Sequence, residues 1–122
     1  MTAKNNIKRY AVTWFDTLTL TVDIDHDIVT DELLTQINTF WNGADDRLQD
    51  ADGNVLIAVL KMLGQRCWPL VIDHCCSEKE LIQVFDGMEG WPKMDGSSGF
   101  KIIQCDELEF DSYDIAVDEA SF

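Results

Sequence analysis

Apolar and polar side chains alternate twice near the start of the chain, first at Tyr10, Val12 and Trp14 and then at Leu18, Leu20, Val22 and Ile24. Period two marks a strand with one buried face, because successive Cβ atoms point to opposite sides. Two strands joined by a turn at Asp16-Thr17 are therefore expected. In the second, Thr19, Thr21, Asp23 and Asp25 take the opposite face, so the sheet should be apolar on one side and wet on the other.

From Thr30 the repeat lengthens to that of a helix. Thr30 suits an N-cap, Asp31 and Glu32 fall where the macrodipole favours negative charge, and Val29 can staple onto Leu34. Leu33, Leu34, Ile37, Phe40 and Trp41 share a face, and Gly43 suits the stop. A polar connection, ADDRLQDADGN, leads to a second helix predicted over about 55–67, with Val55, Leu56, Val59, Leu60, Met62 and Leu63 as its apolar positions. Pro69 is expected to prevent its continuation, leaving Leu70-Val71-Ile72 as a short strand. Ser77 and Glu80 form a capping box for a third helix with Leu81, Ile82 and Phe85 inward, ending at Gly87. The turn-rich loop GMEGWPKMDGSSG follows, then strands over 100–105, 107–110 and 113–117. The order β-β-α-α-β-α-β-β-β predicts one α+β domain over 1–122, an antiparallel or mixed sheet with about three helices on one face.

Composition changes little in this picture: 46% hydrophobic and 26% charged residues are ordinary for a globular domain. Charge changes more. Nine Lys and Arg against 23 Asp and Glu give a formal −14, where solubility asks for a magnitude of only about 2–8. The acids cluster: residues 16–52 hold ten with Arg47 as their one base, and 106–122 hold seven with none. Unaided binding to nucleic acid or an anionic membrane is disfavoured, while a basic protein surface is attracted. The N-terminal MTAKNNIKRY has no apolar signal core, and no unbroken apolar run approaches ~20 residues, so a cytoplasmic protein is expected.

Candidate chemistry is sparse. Asp50, Asp52 and Asn54 imitate the opening of a calcium loop, but Val55 stands where that loop needs Gly and Lys61 where it needs Glu; a turn and helix cap explain the same residues. Asp23, Asp25, His26 and Asp27 could attract a divalent ion, although a solvated strand end accounts for them too. His74, Cys75 and Cys76 lack the paired spacing of a zinc site. Adjacent cysteines lie ~3.8 Å apart at Cα, short of the ~4.4–6.8 Å of a disulfide, and Cys67 and Cys105 are expected as small buried hydrophobes. No catalytic signature, metal set or cofactor motif is assigned. Trp91, in EGWPKMDG beside exposed-looking Lys93, Met94 and Asp95, either anchors a partner or pins its loop to the core. Glu107, Glu109 and Asp111 would form an acidic strand face with charges ~6.6 Å apart, too sparse by itself to imitate duplex DNA at one charge per ~1.7 Å.

The stretches DIDHDIVTDELLTQINTFWNGADDRLQDADGNVLIAVLKML and EGWPKMDGSSGF resemble a family of short acidic proteins of bacteria, prophages and other mobile elements, domain of unknown function 2528. The likeness covers nearly the whole chain, departs most over 67–88, and carries no assigned chemistry. Together with the charge it implies an interaction protein of a mobile element that binds a basic protein surface, as a nucleic-acid mimic or counter-defence factor, through Asp23, Asp25, Trp91, Glu107, Glu109 and Asp111. The alternative is a metal-dependent or thiol enzyme built on the Asp, His and Cys clusters.

Overall fold

The computed structural model describes residues 6–15, 18–74, 77–106 and 112–120. Strand β1 (Ile7–Trp14) pairs antiparallel with β2 (Leu18–Asp25), Trp14 opposite Leu18 and Ile7 opposite Asp25. Strand β3 (Phe100–Cys105) pairs antiparallel along the other side of β2, giving the sheet order β1-β2-β3. The expected hairpin and its register are present. Leu18, Leu20, Val22 and Ile24 are all buried, and the intervening residues of β2 are half-buried. A register shift between Thr21 and Val22, whose partners are Gln104 and Ile102, leaves Ile103 as the extra residue of a bulge.

Among the described residues four helices, rather than three, accompany the sheet: α1 (Asp31–Phe40), α2 (Ala44–Asp50), α3 (Val55–His74) and α4 (Glu78–Phe85). Thr30 caps α1, its Oγ1 accepting from Leu33 N at 3.2 Å, and Ser77 Oγ accepts from Glu80 N at 3.3 Å at the start of α4. Helix α2 lies in the segment expected as a polar connection. It buries none of its residues, so no apolar repeat announced it. Gly43, at φ +88°, immediately precedes α2 instead of ending α1, whose chain turns extended at Trp41.

The expected strand at Leu70-Val71-Ile72 is helix. Val59, Leu63, Cys67 and Val71 form one buried stripe at steps of four, and Val71 completes it only if α3 runs on. Pro69 is tolerated because it faces solvent, as does Gln65, whose carbonyl would have received the missing N–H. The fused helix is also, over Val55–Asp73, long and apolar enough to cross a membrane by length and composition, which its two shorter pieces were not; here its buried stripe belongs to the core shared with the sheet.

Between α4 and β3 the loop folds inward. Trp91 and Met94 are buried, so Met94 is a core residue and not the exposed position expected. The same loop covers part of the outer edge of β3: Ile102 N donates to Met94 O at 3.1 Å and Gly96 N to Phe100 O at 2.7 Å. Asp95 braces it by accepting from Ser97 Oγ (2.6 Å) and Ser97 N (2.9 Å), bonds that hold the Asp95 carboxyl below its ordinary range. At its end Gly99, φ +96°, gives its carbonyl to Asp25 N at 2.8 Å; a Cβ there would meet Val29 Cγ2 at 2.5 Å.

The predicted strand over 113–117 does not form. Ser112–Asp114 make a single 3-10 turn, 115–120 have no regular structure, and Ile115 and Val117 are exposed. Nothing among the described residues lies beside them to complete a ladder. The predicted strand over 107–110, the Asp16-Thr17 turn and Cys75-Cys76 lie outside the described residues.

Candidate functional site

The acids singled out on β2 are engaged locally. Asp23 receives Arg9 Nε at 2.7 Å and Arg9 Nη2 at 3.1 Å across the β1–β2 ladder. These hydrogen bonds hold the Asp23 carboxyl below its usual range; partial burial opposes them, and the charges of Arg9 and Lys101 assist. Asp25 Oδ1 accepts from Asp27 N at 3.0 Å in the turn that leaves the strand. His26 Nε2 sits 2.8 Å from the Tyr10 hydroxyl. These residues do not converge, and among the described residues no group of three His, Cys, Asp or Glu side chains could share an ion. Asp52 (φ +54°) and Gly53 make a tight turn, and Asn54 Oδ1 accepts from Ile57 N at 3.2 Å to cap α3, as the turn-and-cap reading of that segment requires.

Trp91 is 8% exposed and stands edge-on to Phe85, with centroids 6.0 Å apart. Its loop comes close at Gly90, φ +83°, where a Cβ would collide with the rings of Phe40 and Trp41. Cys67 and Cys105 are buried, in keeping with their expected role as small hydrophobes. Glu107, Glu109 and Asp111 lie outside the described residues.

Helices α1 and α2 and the turn after them carry a group of exposed acids, with others on α4, its flanking segments and 118–119. Arg47 of α2 is bound by Asn38 Oδ1 (2.8 Å) and by the carbonyls of Asn38 (2.7 Å), Trp41 (3.0 Å) and Asn42 (2.6 Å) at the end of α1. The guanidinium thus satisfies α1's terminal carbonyls, as a base at a helix C-terminus should. Because α2 starts at this end and the turn after it shares a polar cleft with Asp31, α2 runs back along α1. Asp31, Glu32, Asp45, Asp46, Asp50 and Asp52 are all exposed along this pair, and Arg9–Asp23 is the one ion pair among the described residues. The helix macrodipole rationalises Asp31, Glu32, Asp45 and Asp46, each in a first turn. It disfavours Asp50, the last residue of α2, at the negative end of that helix.

The acids of α1 do not lie where the 106–122 block begins. Asp106 follows β3 and binds Thr19 N at 3.1 Å at the start of β2, whereas the acids of α1 follow the end of β2. Six strand steps separate Thr19 from Asp25, roughly 20 Å, about two Debye lengths at physiological salt.

Sequence reading missed two grooves. One, about 420 Å³, is lined by Trp41, Asn42, Arg47, Met62, Gln65, Arg66 and Trp91, with the Arg66 guanidinium 6.0 Å from the Trp41 ring centroid. The other, about 330 Å³ and mainly apolar, lies between Trp14 and Leu18 at the hairpin and Trp68, Pro69 and Ile72 of α3. Trp68, Pro69 and Ile72 share a face only in a helix, so reading 70–72 as a strand hid this groove.

The model of a family described as protein of unknown function (DUF2528) matches residues 19–117. Lambda prophage-derived protein ea10 of Escherichia coli O6:H1 (strain CFT073) is 38% identical over 122 aligned residues, covering 95% of this chain and 99% of that protein. Protein ea10 of Escherichia phage lambda matches with the same identity and coverage. No solved structure matches the chain significantly.

Proposed function

This chain belongs to the DUF2528 family, and we propose that, like its relatives from phage lambda and a lambda prophage, it is a protein of a mobile element, acting as an interaction protein that binds a basic protein surface through α1 and α2. The observation that carries this reading is the row of six exposed carboxylates, Asp31, Glu32, Asp45, Asp46, Asp50 and Asp52, left without a Lys or Arg partner among the described residues while the local Arg47 is spent on carbonyls. Asp50 costs the helix stability where it stands, and a cationic partner would offset that cost. Asp23, neutralised by Arg9, and the buried Trp91 fall outside the binding surface on this reading. Such a surface speeds encounter with a cationic partner and makes affinity depend on salt.

The test captures partners from a bacterial host at low salt, then measures their affinity for wild type and for the combined variant Asp31→Asn, Glu32→Gln, Asp50→Asn, Asp52→Asn. The variant should bind on the order of tenfold more weakly, and wild-type affinity should fall steadily with salt. A captured partner indifferent to both treatments rejects the α1–α2 surface.

A further inference from the structure

Where α1 ends against the middle of α3, the chain builds a groove of about 420 Å³ whose charge is opposite to that of the protein. Met62 and Arg66 stand one helical turn apart on α3, Gln65 flanks them, and Trp41 and Asn42 follow the last turn of α1. Met62 and Trp91, both nearly buried, give the groove an apolar backing. Its lining includes Arg47 and Arg66 and no Asp or Glu, in a chain with 23 acids against nine bases.

Neither arginine is neutralised by a carboxylate among the described residues. Arg47 donates to the uncharged oxygens of Asn38, Trp41 and Asn42, so it is fixed in place with its charge intact. Arg66 is exposed and lies 6.0 Å from the Trp41 ring centroid. Two guanidiniums on one groove repel each other, and an anion bound there would relieve that repulsion.

The lining also defines the anion. A planar guanidinium fork takes a carboxylate or a phosphate through paired hydrogen bonds. The surrounding field chooses between them. The protein carries a formal −14, and Asp45 and Asp46 line a polar cleft that shares Trp41 and Asn42 with this groove. A doubly charged phosphate is therefore repelled about twice as strongly as a singly charged carboxylate, and a polyanion more strongly still. The Trp41 indole and the apolar backing suit a ring joined to that carboxylate better than a bare ion.

We propose that this groove binds a small aromatic monocarboxylate, its carboxylate held by Arg66 in the field of Arg47 and its ring laid against Trp41. The volume falls within the roughly 300–1,000 Å³ of small-molecule sites. The site shares none of the six carboxylates of the α1–α2 surface, so either can fail without the other.

Phenylacetate serves as the probe, titrated calorimetrically into the full-length chain near neutral pH. A dissociation constant of about 1 mM or tighter is expected, and no binding up to about 10 mM overturns the proposal. Phenylacetamide keeps the ring and loses the charge, whereas acetate keeps the charge and loses the ring. Each should bind at least about tenfold more weakly, and equal binding by either rejects the joint recognition of ring and carboxylate. Phenyl phosphate should bind more weakly than phenylacetate; the reverse order assigns the groove to phosphate esters and rejects the monocarboxylate. Arg66→Gln changes an exposed side chain, so the circular dichroism spectrum should stay intact while phenylacetate affinity falls about tenfold. Unchanged affinity in that variant places the ligand elsewhere and overturns the site.

Discussion

Residues 18–25 and 113–117 carry the same alternation of apolar and polar positions, yet the first is a strand and the second is not. The difference lies in their neighbours. β2 has β1 on one side, β3 on the other and α3 across its apolar face, so every second side chain is buried and its backbone is bonded along both edges. Among the described residues no strand ladder forms at 113–117. Alternation states which face a segment would bury, and the ladder itself must come from another segment.

The sharpest way to break this comparison is to insert the same charge into both segments. Val22→Asp places a carboxylate among Leu20, Ile24 and Phe100 with no partner, and should cost about 3–5 kcal/mol in urea unfolding. Val117→Asp, at a side chain already 90% exposed, should stay within about 0.5 kcal/mol. Equal losses would mean that both segments are paired alike.

A second change sharpens the lesson where the alternation was absent and a break was expected. Pro69 sits inside α3, so Pro69→Ala returns an N–H to Gln65 O and should stabilise the chain by about 1 kcal/mol, once the freer unfolded state is allowed for. Were 70–72 a strand set off by the proline, the substitution would bring no gain.

The smallest effect belongs to the wet face of β2. Because Asp23 is held below its unfolded pKa of ~3.9, its pairing with Arg9 stabilises the fold above that pH and is lost as pH falls through the folded value. Asp23→Asn should therefore lower the urea midpoint slightly at pH 7 and not at all in strong acid. Arg9 is largely exposed, so the difference should shrink in molar salt. A difference that grew in acid would reverse the assigned linkage.

By itself the sequence determined what short-range chemistry can encode. Period two placed β1, β2 and the buried set from Leu18 to Ile24; Thr30 and Ser77 set the starts of α1 and α4; the acids could be counted, and the family was legible in its motifs. Tertiary structure decided the rest. Pro69 reads as a break until the stripe through Val59, Leu63, Cys67 and Val71 is seen to need a continuous helix, because burial of that stripe outweighs one missing hydrogen bond. Met94 and Trp91 look like loop residues until Gly90 and the edge of β3 draw the loop inward. Asp23 looks like a free acid until register brings Arg9 across from it. In each case the deciding partner lies far away in sequence, and only the packing of the sheet against α3 and its flanking loops brings it near.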